Sequence, residues 1–185
     1  MSMKERILEK ALELFSEHGF NSVSTKLLAK EVGCNEVTIF RLFKSKYGIL
    51  EQITKNFLEM ATIIENLKKV LNGNLEDDIE SVIRVYDKFL RENELIFRIQ
   101  LKFSHSEIKK YTRSIEYKDF VVEHFREIFI KDNLNLPVEE FVIQILSSVI
   151  GNFLFYIQTE NGFTKIEWDD LLESNIRIYK YFLRK

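Results

Sequence analysis

Residues 24–47 hold five cations, Lys26, Lys30, Arg41, Lys44 and Lys46, against two anions, Glu31 and Glu36, a local net charge of +3. A guanidinium can donate to guanine O6 and N7 together, so Arg41 is a candidate base-reading group. Lys26, Lys44, Lys46 and the hydroxyls of Thr25 and Thr38 suit phosphate oxygens, which set register on a duplex without reading its sequence. Glu36 is repelled by phosphates but can accept from a cytosine amine. The charge is uneven along the chain. Residues 1–50 have a net charge of +2 and residues 51–185 one of −4, within an overall −2. The electrostatic footprint therefore points to the N-terminal quarter.

Other chemistry is sparse. His18, His105 and His124 are scattered, with no Cys or His at ligand spacing, so no metal site is expected. The single Cys34 excludes an intramolecular disulfide framework and a Cys-rich zinc module. No Gly-rich phosphate cradle occurs, and Glu139–Glu140 reads as helix-start charge rather than an acid/base pair. The expectation is a protein that is not an enzyme and has no cofactor. Glu5, Glu9, Glu13 and Glu17 interrupt the first twenty residues, so no secretory apolar region is expected there, and a reducing cytoplasm is the expected location. Residues 141–157 are uncharged, but Gln144, Ser147, Ser148 and Asn152 lie among them and acidic residues flank them. A span needs about twenty predominantly apolar residues, so a helix buried on both faces is expected instead of a membrane crossing.

The elements that must position these groups are helical. Gly and Pro together are 7 of 185 residues, far below the usual share, and the apolar periodicity is long. An all-α chain of about nine helices is expected. Residues 4–18 place Ile7, Leu8, Ala11, Leu12 and Phe15 on one face. Ser24 and Thr25 can cap a second helix that buries Leu28, Ala29 and Val32 and ends at Gly33. Asn35 can cap a third, 36–43, with Ile39 and Phe43 inward and Val37 and Arg41 together on another face. Ser45 can cap a long fourth helix to about Leu71, followed by helices near 76–92, 94–104, 107–131, 137–159 and 167–184. The Asn72–Gly73 and Asn161–Gly162 pairs lack flanking alternation and read as loops, not hairpins. Two short helices joined by a tight turn at Gly33 have the layout of a helix-turn-helix, whose second helix enters the major groove.

The run Gly19-Phe20, Ser24-Thr25, Leu28-Ala29, Gly33 and Thr38-Ile39-Phe40-Arg41-Leu42-Phe43-Lys44-Ser45-Lys46 resembles the TetR family of bacterial transcription regulators. About fifty residues carry the resemblance. It implies a DNA-binding domain over 1–50 and a helical ligand-binding and dimerisation domain over 51–185. It also implies a double-stranded DNA operator, a homodimer and a small-molecule effector as partners. On this reading Thr25, Lys26, Asn35, Glu36, Val37, Thr38, Phe40, Arg41, Lys44 and Lys46 face DNA. The chain departs from the family pattern at four places. Phe40 stands where Tyr is frequent, Leu42 where His or Tyr is common, Val37 where Gly, Ala or Pro is frequent, and Asn35 where Ser is. Phe40 lacks a phosphate-bonding hydroxyl, so binding is expected to lean on Arg41, Lys44 and Lys46.

Beyond residue 50 the aromatics read mainly as core. Tyr86, Phe89, Phe103, Tyr117, Phe120 and Phe153 are the candidates to line a cavity for an apolar or aromatic compound, with Gln100 and Asn152 as polar groups. Ser147, Gly151 and Leu154 on one helix, and Leu171, Asn175, Ile178 and Phe182 on the last, are the candidate dimer face. Two-fold pairing is expected because one recognition helix reads too few bases. Two rival expectations are a regulator with a fully packed core that takes no ligand, and a helical small-molecule-binding or interaction protein that has lost specific DNA binding.

Overall fold

A computed structural model describes residues 1–57, 60–102, 114–159 and 165–183. Among them are ten helices: α1 (Met3–His18), α2 (Thr25–Val32), α3 (Glu36–Phe43), α4 (Lys46–Phe57), α5 (Met60–Lys68), α6 (Leu75–Glu92), α7 (Glu94–Leu101), α8 (Ser114–Lys131), α9 (Val138–Thr159) and α10 (Trp168–Leu183). No strand occurs among the described residues. The long fourth helix expected from Ser45 is described as α4 and α5, and the second of these ends at Lys68 rather than Leu71. Phe103, His105, Tyr111 and the Asn161–Gly162 pair lie outside the described residues.

The helices form two compact units. The first contains α1 to α4 and, unexpectedly, α7. A boundary drawn at residue 50 does not capture this, because Ile96 and Ile99 of α7 join Ile7, Phe15, Leu28, Ile39, Ile49 and Ile53 in one apolar core. The Lys102 ammonium just after α7 donates to the carbonyls of Ser16 (2.5 Å) and Glu17 (2.8 Å) at the C-terminal end of α1. Such carbonyls have no partner within their own helix, so a cation there satisfies them and meets the negative end of the dipole. At the other end of α1, Ser2 and Glu5 form a reciprocal capping box.

In the second unit α6 packs against α5, α8, α9 and α10. It buries Ile79, Val82, Ile83, Tyr86 and Leu90. Two buried carboxylates tie α6 to its surroundings. Asp78 accepts from the backbone N–H groups of Asn72 (2.8 Å) and Gly73 (2.9 Å), and lies 2.6 Å from His124 Nε2 on α8. Asp87 accepts from Trp168 Nε1 at 2.9 Å and pairs with Arg91 at 2.9 Å. Burial pushes the Asp87 carboxyl up from its ordinary range, against the pull of Arg91.

A third tie is more exposed. Glu80 accepts from Lys180 on α10 (2.6 Å) and from Arg84 (2.8 Å), and Arg84 also pairs with Glu173 (2.7 Å). Lys180 and then Arg84 hold the Glu80 carboxyl below its ordinary range. The stabilisation is present above the glutamate pKa of the unfolded chain and is lost as pH falls through the lowered folded value. Glu80→Gln should therefore lower stability at neutral pH by no more than about 1 kcal/mol. In denaturant titrations the gap from the parent should close in acid.

Candidate nucleic-acid interface

The second and third helices are short, so their ends decide their placement. The Ser24 side chain accepts from Leu27 N–H at 3.0 Å to start α2. Gly33 ends it at φ 74°, a left-handed conformation that glycine adopts without a Cβ penalty. The Asn35 side chain accepts from Val37 N–H at 2.9 Å to start α3. Ile39 and Phe43 are buried, as their spacing requires, and Leu42 also packs against the core.

Three contacts lock this pair of helices. The Thr25 hydroxyl on α2 donates to the Glu36 carboxylate on α3 at 2.6 Å. The Arg6 guanidinium on α1 donates to the Val32 carbonyl at the end of α2 at 2.9 Å. The Lys46 ammonium donates to the carbonyls of Phe20 (2.8 Å) and Val23 (3.0 Å), with Asn21 O at 3.5 Å, and lies 4.3 Å above the Phe20 ring. Burial pulls the Lys46 ammonium down from its ordinary pKa. Thr25, Glu36 and Lys46, expected from sequence to meet DNA, thus hold the helices to one another. Arg6 was not expected at all, because its partner lies 26 residues away.

The solvent face of α3 keeps a compact remainder. Val37 is 70% exposed and Phe40 46% exposed, and Arg41 and Lys44 are exposed on the same side. The spacing of Val37, Phe40 and Arg41, i, i+3 and i+4, makes one helical stripe, and Lys44 follows it at the C-cap of α3. Lys26 and Asn35 are exposed beside it, and Thr38 is half-buried. Among the described residues no hydrogen bond or ion pair engages the side chains of Arg41, Lys44 or Lys26. The stripe presents cations and apolar groups, with its backbone held from behind.

The expected ligand-lining residues that the structure describes fall in both units. Tyr86 and Tyr117 stack at 5.4 Å, and the Tyr117 hydroxyl donates to Val82 O at 3.5 Å. Burial pushes the Tyr86 phenol up to about 12 and the Tyr117 phenol upward as well. Phe153 is buried edge-on to Trp168, and Phe120 is half-buried beneath the Lys68 ammonium. Phe89 and Asn152 are half-buried. Gln100, by contrast, lies on α7 in the first unit.

On α9 and α10 the apolar residues divide. Val142, Ile145, Val149, Phe153 and Ile157 of α9 are buried in the second unit. The opposite side carries Ile143, Ser147, Gly151, Leu154 and Phe155, exposed or half-buried, with open space where a Gly151 Cβ would stand. Residues 138–158 are long and apolar enough to cross a membrane by length and composition, and the five buried residues of this stretch are core of the second unit. On α10, Leu171 is half-buried and Ile178 is 49% exposed. Asn175 does not belong to this outer face. It is buried and donates to Ser148 Oγ at 3.0 Å, joining α10 to α9 within the chain. The side chain of Phe182 lies outside the described residues.

A family model described as "Bacterial regulatory proteins, tetR family" matches residues 7–53, the stretch that builds α1 to α4. Residues 7–53 therefore carry the pattern of the TetR family's N-terminal region. Among its relatives, the nucleoid occlusion factor SlmA of Haemophilus ducreyi is 31% identical over 116 residues, 58% of this chain and 57% of that protein. The chain thus spans just over half the length of that relative. The uncharacterized HTH-type transcriptional regulator YvkB of Bacillus subtilis is 22% identical over 95% of this chain and 94% of the other. Among solved structures, the transcriptional regulator FadR of Bacillus subtilis in complex with stearoyl-CoA superposes with a TM-score of 0.72 at 18% identity, covering 94% of this chain and 96% of that one.

Within the helix-turn-helix, the geometry separates two kinds of lysine. Lys46→Met should destabilise the first unit by about 1.5–3 kcal/mol, the usual worth of hydrogen bonds from a charged donor. It should leave the slope of log affinity against log salt unchanged. Lys26→Met and Lys44→Met should each flatten that slope by about one phosphate contact, with stability unaltered. Thermal unfolding beside salt titrations of DNA binding distinguishes the two outcomes.

Proposed function

We propose that the chain is a dimeric, ligand-responsive transcriptional repressor that reads a palindromic operator through α3. The observation that carries the reading is the exposed stripe of Val37, Phe40 and Arg41, with Lys44 at the C-cap, on a helix anchored by Asn35, Ile39 and Phe43. The outward apolar side of α9, with Ile178 of α10, supports pairing with a second copy. Small residues such as Ser147 and Gly151 let another helix approach closely. Such pairing sets two recognition helices about 34 Å apart, or a multiple of it, to meet successive major grooves on one side of the duplex.

The effector we propose is a small molecule with an apolar body, held in the second unit. The stearoyl-CoA complex of the FadR relative supports that class. Ligand binding shifts the population toward a dimer whose recognition helices no longer match the operator. The chain passes between the two units three times, at α4–α5, α6–α7 and α7–α8, so these connections can carry the change. By linkage, ligand and operator weaken each other by the same factor.

Selection of bound sequences from a random DNA pool at moderate salt tests the proposal. A palindrome with half-sites about one turn apart is the expected result. A folded dimer that selects no consensus would move the reading to a helical binding protein that has lost specific DNA recognition. An acyl-CoA titration that leaves operator affinity unchanged would remove that effector class.

A further inference from the structure

The regulator reading leaves open what the operator contains, and Val37 bears on that. It is 70% exposed, in the first turn of α3, with its N–H held by the Asn35 side chain at 2.9 Å. A β-branched residue in a helix has one strongly preferred rotamer, so its two methyls point in a defined direction at little entropic cost. A valine can neither bond a phosphate nor attract one. The major-groove base edges offer a single apolar partner, the thymine C5-methyl. Arg41 stands one turn further along the same stripe, with about 5–6 Å between the two Cβ atoms. Bases rise about 3.4 Å per step along a strand, so the two side chains address bases within about two steps of each other.

We propose that Val37 is a specificity residue that reads a thymine methyl, beside a guanine read by Arg41, so that each half-site carries a thymine and a guanine within two base steps. This rests on the regulator reading. The Val37 contact is apolar and the Arg41 contact is a pair of hydrogen bonds, so the two bases can be tested separately.

The test starts from the sequence selected by the wild-type protein and replaces each half-site thymine in turn by deoxyuridine, which removes only the methyl. Wild-type affinity should fall about fourfold at one thymine, the worth of one buried methyl-sized group. Val37→Ala should bind the thymine and uracil operators equally, with unchanged thermal unfolding, and Val37→Thr should keep part of the preference. If no deoxyuridine position weakens wild-type binding, or if Val37→Ala still prefers thymine, the proposal is overturned while the regulator reading stands. If no sequence is selected at all, both are overturned.

Discussion

Arg41→Ala should weaken binding to the selected operator by about 1–3 kcal/mol per half-site and relax preference at one base pair. The reason is the state of the guanidinium. It is exposed on α3, and among the described residues no hydrogen bond or ion pair engages it. Its planar fork is therefore available to a guanine edge without breaking an internal contact. The backbone beneath it is held by the burial of Ile39 and Phe43, one on each side of it in sequence. Because no hydrogen bond or ion pair among the described residues holds this exposed side chain, folding stability should change by less than about 0.5 kcal/mol. Arg41→Lys is the sharper control. It keeps the charge, so the salt slope should persist, but it loses the two-pronged geometry, so the base preference should fall. Equal weakening on every DNA sequence by both variants would make Arg41 a phosphate contact.

Local signals made the first three helices legible. Ser24 and Asn35 cap where their side chains can reach the next turn, and Gly33 ends α2 in the conformation its type favours. The inward positions of α1 and α3 follow from periodicity alone. What the sequence hid is long-range. Nothing near Ile96 or Ile99 announces that they complete a core begun at Ile7. Lys46 has the charge and place of a phosphate contact, yet three carbonyls more than twenty residues away surround its ammonium. Thr25 and Glu36 likewise look available until α2 and α3 are packed. Asn175 sits on an apolar stripe and reads as an interface residue, but its amide needs a partner and finds Ser148. In the three polar cases a donor found an acceptor that the fold supplied, and a one-dimensional reading has no access to that distance.

Gly48→Ala should destabilise the first unit by about 3 kcal/mol, at the upper end of the usual cost of overpacking. This reverses the ordinary sign. Within a helix, alanine is normally favoured over glycine by up to about 1 kcal/mol. Here a Cβ on Gly48 would stand 2.0 Å from the carbonyl oxygen of Phe43 and 3.1 Å from its carbonyl carbon. Neither atom is the end of a flexible side chain that could swing away. Phe43 closes α3 with its ring in the core, and Lys44 then turns the chain at φ 68° before Ser45 caps α4 by accepting from Gly48 N–H at 3.1 Å. Relief of the clash must shift either the last turn of α3 or the first turn of α4. The melting temperature should fall by roughly 6–12 °C, scaling the usual 2–4 °C per kcal/mol for a chain of this length. Below the transition, DNA affinity should drop on specific and nonspecific sequences alike, because the whole reading stripe moves with α3. A Gly48→Ala protein that melts at or above the parent temperature would mean that the α3–α4 turn has slack, and that the close approach does not hold the reading helix in place.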